Sequence, residues 1–563
     1  MSVGNAFAPG LVLGVLIASG CGGGEVVRRA EGVIDTASET VQSDRQERLR
    51  RSVEVQKTQR RQQSPEAIRE ALGAQVKDLT KLSLNDTLKV ATAYNRDFAT
   101  QRDQNLNSGL GLLSARHLFD PRLSSSISLL QNWARTGSTG GESAPVSASG
   151  NLGLDYATEL GTRLHAGVAT STSHDFRSGV NANTSTVDVS INQPLLRGAG
   201  RTIAREPLTA AERSLIYQLR SFDNFRQSFT IDTISRYYNM VREKQVVDNN
   251  KENFERADFE YRRAKGLFKI GRVNELDVLQ AEQQRLTAEN TLRDAAETHK
   301  DSLLAFKTFL GVPDDVDVNI RTDEFPEFQK IKLDPDQAVQ LALANRLDMA
   351  TAQDQVDDAL RGLKIAENAL LPDLGLQVSA GTGASDKEFG HQSFNNHNAS
   401  AGLTLTLPLD RLNEKIALKH AQISREQADR ALAQFRDNLA SDVRRRLRNL
   451  DRIEASMEVQ RRIVVAAEKA LARAAAFFRQ GKKASRDVAE AQQQLLAARN
   501  TDVQYVVDHA IAELQLRQAL GILTIQPDGQ PSNADLEALG IKPETETVKP
   551  QAVTPSEEDE MEP

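Results

Sequence analysis

Between residues 268 and 521 the chain repeats itself at a fixed spacing, and that register constrains the fold more tightly than any other feature. Phe268-Lys269-Ile270-Gly271, followed by Asp277-Val278, recurs 210 residues later as Phe478-Arg479-Gln480-Gly481, followed by Asp487-Val488. The same offset, without a gap, pairs Ala281 with Ala491, Gln283-Gln284 with Gln493-Gln494, Asn290-Thr291 with Asn500-Thr501, and Leu310-Gly311 with Leu520-Gly521. Upstream, with small shifts, Asn95-Arg96 matches Asn345-Arg346, Asp120-Pro121 matches Leu371-Pro372, and Gln193-Pro194-Leu195 matches Leu407-Pro408-Leu409. A ladder of pairs in fixed register marks one structural unit used twice. Each unit reads helix, proline, strand region, proline, very long helix, glycine turn, long helix and Leu-Gly stop.

The helical runs are unusually long. From Leu412 to Gly481 neither proline nor glycine occurs before the terminal glycine, and from Ile203 to Phe268 only Pro207 and Gly266 interrupt. At about 1.5 Å per residue each run spans roughly 100 Å, far more than a compact domain uses. Leu215, Leu219, Phe222, Phe225 and Phe229 follow three-and-four spacing, so each helix buries one stripe against neighbours.

The strand regions instead alternate with period two. Examples are Ile127 and Leu129; Leu152, Leu154 and Tyr156; Leu164, Ala166 and Val168; and Val187, Val189 and Ile191. In the second unit Leu374, Leu376 and Val378 face Leu403, Leu405 and Leu407 across a polar loop. Ser, Thr, Asn and Gly fill the alternate positions. A half-buried soluble sheet shows the same alternation, but so few core-forming groups suit a closed barrel with lipid on one face and water on the other. The two strand regions differ in length. Leu123 to Pro194 is 71 residues, against 34 from Leu374 to Pro408. Residues Ser149 to Thr170 read as an extra hairpin about Leu160-Gly161-Thr162. It either enlarges the barrel to six strands per chain or projects from it. Projection, or a partial continuation, is favoured because the helical half of the unit is unaltered.

At the amino terminus, Leu11 to Ala18 is an apolar run too short to span a bilayer, which takes about 20 residues, but suited to an export signal. It is followed by Ser19-Gly20-Cys21, the chain's single cysteine. Small residues before a lone cysteine resemble a bacterial lipobox, whose thiol is acylated, and Gly22 after it favours outer-membrane sorting. The n-region holds no Lys or Arg, and Ala18 stands where Leu is usual. One cysteine excludes an internal disulfide framework. The eight scattered histidines show no metal-ligand spacing. Nor is there a nucleophile-base-acid set or a phosphate-binding glycine loop, so neither an enzyme nor a cofactor is expected. A net charge of -7, with basic clusters such as Arg444-Arg445-Arg446 set among acids, argues against nucleic acid as a partner. The expected organisation is a signal peptide at 1–20, an anchor and polar tether at 21–80, repeats at 81–330 and 331–525, and at 526–563 an extension ending in an acidic tail.

The lipobox, the two units and the Phe-x-x-Gly…Asp-Val turns together resemble the TolC-like outer-membrane efflux family over roughly Leu84 to Ile525. The most specific matches are Gln193-Pro194-Leu195-Leu196, Leu405-Thr406-Leu407-Pro408-Leu409 and the two glycine turns. The resemblance implies a mainly α fold with β, in which three protomers contribute strands to one transmembrane barrel continued by a long periplasmic helical barrel. It also implies a periplasmic adaptor and an inner-membrane transporter as partners, with the chain as a passive exit duct for efflux or type I secretion. Carried over, Asp277, Phe478, Lys483, Asp487 and Glu490 are candidates for the entrance gate. Phe478 and Lys483 stand where drug-efflux relatives often have Tyr and Arg. Gly271, Arg272, Val273, Gly481 and Lys482 are candidate adaptor contacts at the turns. Asp277 and Asp487 also read simply as helix N-terminal acids favoured by the helix dipole. The competing reading of the whole chain is a coiled-coil envelope lipoprotein without channel activity.

Overall fold

A computed structural model of the chain describes residues 81–563 apart from 137–140, 144, 176–180, 315, 317, 322–327, 331–332, 387–393, 481–484, 527–528, 533–543 and 547–563. The elements follow one another as α1 (Leu84–Tyr94), α2 (Arg96–His117), β1 (Arg122–Gln131), β2 (Ala134–Thr136), β3 (Gly141–Ser143), β4 (Pro145–Ala157), β5 (Arg163–Asp175), β6 (Asn181–Pro194), α3 (Arg201–Ala204), α4 (Glu206–Lys269) and α5 (Glu275–Leu310). Then come β7 (Phe328–Lys330), α6 (Pro335–Asn345), α7 (Leu347–Ala369), β8 (Asp373–Asp386), β9 (Asn396–Thr406), α8 (Leu412–Arg479), α9 (Ser485–Ala519), β10 (Thr524–Ile525), β11 (Pro531–Ser532) and β12 (Glu544–Glu546). Among these residues no helix is long and apolar enough to cross a membrane, a statement that bears on helices alone. Two compact units divide the chain: residues 105–218 and 352–432 belong to one, and 219–351 and 433–563, with the described residues before 105, to the other.

The first unit is organised by a six-stranded sheet in the order β1-β4-β5-β6-β8-β9, antiparallel at every pairing. Successive side chains point to opposite faces of a strand, so the register decides which residues share a face. One row runs across the whole sheet as Leu123, Leu154, Ala166, Val189, Ala380 and Ala399. The next row on that face joins Tyr156, Leu164, Ile191, Val378 and Ala401. On the opposite face Asp155, His165, Ser190, Ser379 and Ser400 form a row. From Leu123 to Leu129, Ala148 to Tyr156, Leu164 to Thr170, Ser185 to Ile191, Leu374 to Thr382 and Ala399 to Leu405, the first face carries no charged residue. Its large side chains are nevertheless open, with Leu123, Ile127, Leu129 and Leu403 each more than two-thirds exposed.

The extra hairpin is where the structure departs from expectation. β4 and β5 do not project; they lie inside the sheet, flanked by β1 and β6. The physical reason is phase. Leu152, Leu154 and Tyr156 continue the apolar face of β1, and Leu164, Ala166 and Val168 continue that of β6, while both backbone ladders stay paired. Its turn is also held. The Arg201 guanidinium lies 2.8 Å from the Glu159 carboxylate, and the Thr162 hydroxyl donates to the Gln193 side chain. Within the same unit the first turns of α4 are tied to α7 by charge-assisted bonds. Arg361 donates to Glu206 at 2.7 Å and to Asp358 at 2.8 Å, and the Tyr217 hydroxyl donates to Asp358 at 2.5 Å.

The second unit has an aromatic core. Phe98 packs on Phe222, Phe225 and Phe229 at 5.2–6.0 Å between ring centroids, and Phe309 stacks on Phe229 at 5.5 Å. Of the stripe read from α4, Leu215, Leu219, Phe222 and Phe229 are buried and Phe225 is half-buried. Two helix ends close on this unit in matching ways. The Gly311 and Val312 N–H groups donate to Thr308 and Lys307, and the Gly521 and Ile522 N–H groups donate to Gln518 and Arg517, each a Schellman cap requiring a left-handed residue. Gly311 has φ 75° and Gly521 φ 70°. Both also approach backbone. A Cβ on Gly311 would lie 2.3 Å from the Tyr94 carbonyl oxygen, and one on Gly521 2.9 Å from the Arg346 nitrogen. Beyond α9 the β10–β11 pair is clasped by Arg226, which donates to the Ile525 carbonyl at 3.0 Å.

Gly311→Ala should therefore destabilise the protein by more than about 1 kcal/mol, and Gly521→Ala by less than Gly311→Ala. Thermal denaturation followed by circular dichroism would show the order; equal midpoints for both variants and the parent would contradict it.

Candidate functional site

The first glycine turn and the residues flanking the second lie in the second unit. At the end of α4 the Gly271 N–H donates to Phe268 and the Arg272 N–H to Leu267, both at 2.9 Å, and Gly271 has φ 72°. Three residues on, α5 starts with a capping box. The Asn274 side chain accepts from the Asp277 N–H at 2.8 Å, while the Asp277 carboxylate accepts from the Asn274 N–H at 3.3 Å. Asp277 thus satisfies an otherwise orphaned donor at a helix start, which is the helix-cap role. Gly271 and Arg272 are exposed and Val273 half-buried, an open corner at the end of the hairpin.

In the second turn region Gly481, Lys482 and Lys483 lie outside the described residues, as does Cys21 at the other end of the chain. Phe478 and Asp487 flank that segment. Phe478 packs with Ala474, Val488 and Ala491 between α8 and α9. The Arg263 guanidinium of α4 stands over its ring, 5.3 Å from the centroid, within cation–π range. Asp487 sits half-buried in the first turn of α9, and Glu490 is exposed with the Gln494 amide 3.5 Å away. Phe478 therefore lacks a hydroxyl to bond with, yet still joins three helices through its ring. The same helices are joined further along by Arg499, which reaches Glu252 of α4 at 3.2 Å and Glu468 of α8 at 3.1 Å.

Two side-chain clusters escaped the sequence reading. One is Arg263 against Phe478, for which a single sequence holds no signal beyond the helical period. The other is on the polar face of the sheet. His165 Nδ1 lies 2.8 Å from Asp155 Oδ1, and its Nε2 lies 3.8 Å from Asp188 Oδ2. Gly153 and Gly167 leave room for the ring, since a Cβ at either would come within 3.2 Å of it. That cluster was readable in part: a hairpin centred on Leu160 brings Asp155 and His165 opposite each other.

The α8–α9 seam holds one more charged feature. The Asp502 side chain is buried, with one oxygen lacking a hydrogen-bond partner. Burial pushes its carboxyl above the usual aspartate range, opposed by the positive charge of Arg461.

With this geometry in hand, the chain can be set beside known proteins. Residues 338–522 match the family model described as outer membrane efflux protein. Over those residues the chain carries an outer membrane efflux protein domain. It is 25% identical over 365 residues to the outer membrane efflux protein BepC of Brucella suis, covering 64% of this chain and 76% of BepC. To the outer membrane protein TolC of Escherichia coli it is 22% identical over 423 residues, covering 72% and 81%. Its fold is similar to that of the CmeC outer membrane channel of Campylobacter jejuni, with a TM-score of 0.57 at 17% identity over 81% of this chain and 88% of CmeC. The family model falls on the second half of the efflux-protein fold, from α6 through α9 and the Gly521 cap.

Because the folded state holds Asp502 more protonated than the unfolded chain does, stability should rise as pH falls from neutral towards the ordinary aspartate pKa near about 4. Asp502→Asn should raise the denaturation midpoint at pH 7 and flatten that dependence. A lowered midpoint at pH 7 would show that Asp502 is instead held by a favourable pairing.

Proposed function

We propose that this protein is the outer-membrane channel of a tripartite efflux or type I secretion system, a passive exit duct for substrates delivered by an inner-membrane pump through a periplasmic adaptor. The carrying observation is the sheet. One face is apolar, uncharged and open, and the other presents hydroxyls, amides, glycines and the Asp155, His165 and Asp188 side chains. Such a sheet is stable with lipid on the first face and water on the second. Strands of 10 to 14 residues suffice for a tilted crossing, which takes about 9–11.

In this reading three copies close one barrel, the duplicated unit supplies pseudo-equivalent hairpins, and acylated Cys21 anchors each copy in the outer membrane. Helices α4 with α5, and α8 with α9, form the periplasmic part. At about 1.5 Å per residue, the 64 residues of α4 extend roughly 96 Å. The open corner at Gly271, Arg272 and Val273 receives the adaptor, as do Gly481 and Lys482 of the second repeat. Asp487 and Glu490, with Lys483 and Asp277, line the entrance, where threefold symmetry turns each carboxylate into a ring that concentrates cations. Arg263 against Phe478 acts there as a clasp between helix pairs.

Purified full-length protein should run as a heat-dissociable trimer in detergent and conduct ions in planar bilayers. Asp487→Asn with Glu490→Gln should reduce cation over anion selectivity without abolishing insertion. Selectivity equal to the parent's would remove these two carboxylates from the lumen, and failure to conduct at all would favour a spacer role.

A further inference from the structure

The sheet is wider than a strand pair per repeat requires, and the surplus is the β4–β5 hairpin. We propose that this hairpin is a barrel-widening insertion, and that the free edge of β9 in one copy pairs with the free edge of β1 in the next, so that three copies enclose an 18-stranded pore. The proposal rests on the channel reading above and adds its stoichiometry of strands, its seam and its bore.

Three observations carry it. First, the hairpin is integral to the sheet. It pairs with β1 from Arg122 to Gln131 and with β6 from Arg163 to His174. The Ser128 and Ser149 hydroxyls meet at 2.6 Å across the β1–β4 boundary, and the Glu159–Arg201 ion pair holds the turn. Detaching it would break both ladders. Second, the two outer edges are complementary. β1 has 10 residues and β9 has 11, and both carry the uncharged apolar face up to the margin, at Leu123, Ile127 and Leu129 and at Leu403 and Leu405. With six strands, all antiparallel, β1 and β9 run in opposite directions. A copy-to-copy pairing is then antiparallel like the rest, and the ring closes without a mismatched seam. Third, an edge exposed to hydrocarbon leaves N–H and C=O groups with no partner, each costing several kcal/mol. Six strands are fewer than the eight of the smallest membrane barrels, so one copy cannot close upon itself. The occupant of each edge is a second copy of this chain.

The bore follows from strand count. With strands about 4.8 Å apart and tilted by about 40°, 18 strands give a backbone cylinder about 36 Å across, whereas 12 strands would give about 24 Å. Side chains can fill a small barrel, but 16–18 strands leave an aqueous channel. The insertion also delivers Asp155 and His165 to that channel's wall beside Asp188, on the polar face.

The test uses the full-length protein in detergent or nanodiscs. Electron cryomicroscopy of the trimer should count 18 strands in a ring about 36 Å across. Ser128→Cys with Ser149→Cys should form a disulfide within one copy. Cysteines stepped through Ser124, Ser126 and Ser128, each combined with Ser400→Cys, should include a pair that crosslinks neighbouring copies into covalent oligomers. A trimer that inserts and conducts but shows a 12-strand ring, or in which Ser128→Cys and Ser149→Cys stay unlinked, overturns the widened barrel and leaves the channel reading standing. A chain that neither trimerises nor inserts overturns the channel reading itself.

Discussion

A β-sheet must satisfy the hydrogen-bonding groups along its two edges, and here that requirement decides how the rest of the molecule is used. The sheet offers no face to a conventional core. Leu123, Leu129 and Leu403 stand open on one side, while serines, glycines and amides occupy the other. Burying the apolar face under helices would need an amphipathic helix lying along it, and the helices of the first unit are instead engaged with one another through Glu206, Asp358 and Arg361. Lipid is the solvent that suits the apolar face. In the proposed membrane setting an unpaired edge would be intolerable, and a second copy would complete the fold.

The helical unit obeys a different rule. Its long helices hold together by narrow seams with few large side chains, such as Ala474, Val488 and Ala491 around Phe478, or Val464, Leu495 and Ala498. Polar and ionic links between helices supplement these seams, including Arg499 with Glu252 and Glu468. The broad aromatic cluster around Phe98 and Phe229 lies where α1 and α2 meet α4 and α5. The Gly311 cap on Tyr94 and the Gly521 cap on Asn345-Arg346 close comparable corners in the two halves. Small residues at those corners let backbone meet backbone, which explains why the Leu-Gly stops stand out so plainly in the sequence.

Much of this was legible in the residues because period and spacing map directly onto geometry. The absence of proline and glycine from 412 to 480 translates into α8, ending at Arg479. The alternation at Leu152, Leu154 and Tyr156 translates into one face of β4. The position of the hairpin was not legible in the same way. Period two says which residues share a face of a strand, but not which strand lies beside it. That depends on registry across β1, β4, β5 and β6, fixed by pairs such as Leu123 with Leu154 and Ala166 with Val189. The surroundings of the candidate entrance residues were hidden for a related reason. Asp277 was visible as an acid near a turn, yet its carboxylate is engaged by the Asn274 backbone, and Arg263 reaches Phe478 from a helix more than 200 residues away in sequence.

The two halves therefore carry different evolutionary freedoms. In the proposed helical ring a hairpin could not change width without disturbing every seam, which accords with the fixed offset from Phe268 to Gly521. A barrel tolerates change in units of one hairpin, because adding two antiparallel strands preserves the direction of both outer edges and the phase of both faces. The β4–β5 insertion meets those conditions: it enters and leaves with matched ladders, keeps the apolar row continuous from Leu123 to Ala399, and anchors its turn on α3 through Glu159. In the proposed barrel a hairpin out of phase would put Asp155 and His165 in hydrocarbon, and a single inserted strand would reverse the direction of one outer edge. In the proposed channel, even strand number and matched phase are thus the physical filter through which the pore can change its width while its helices stay the same.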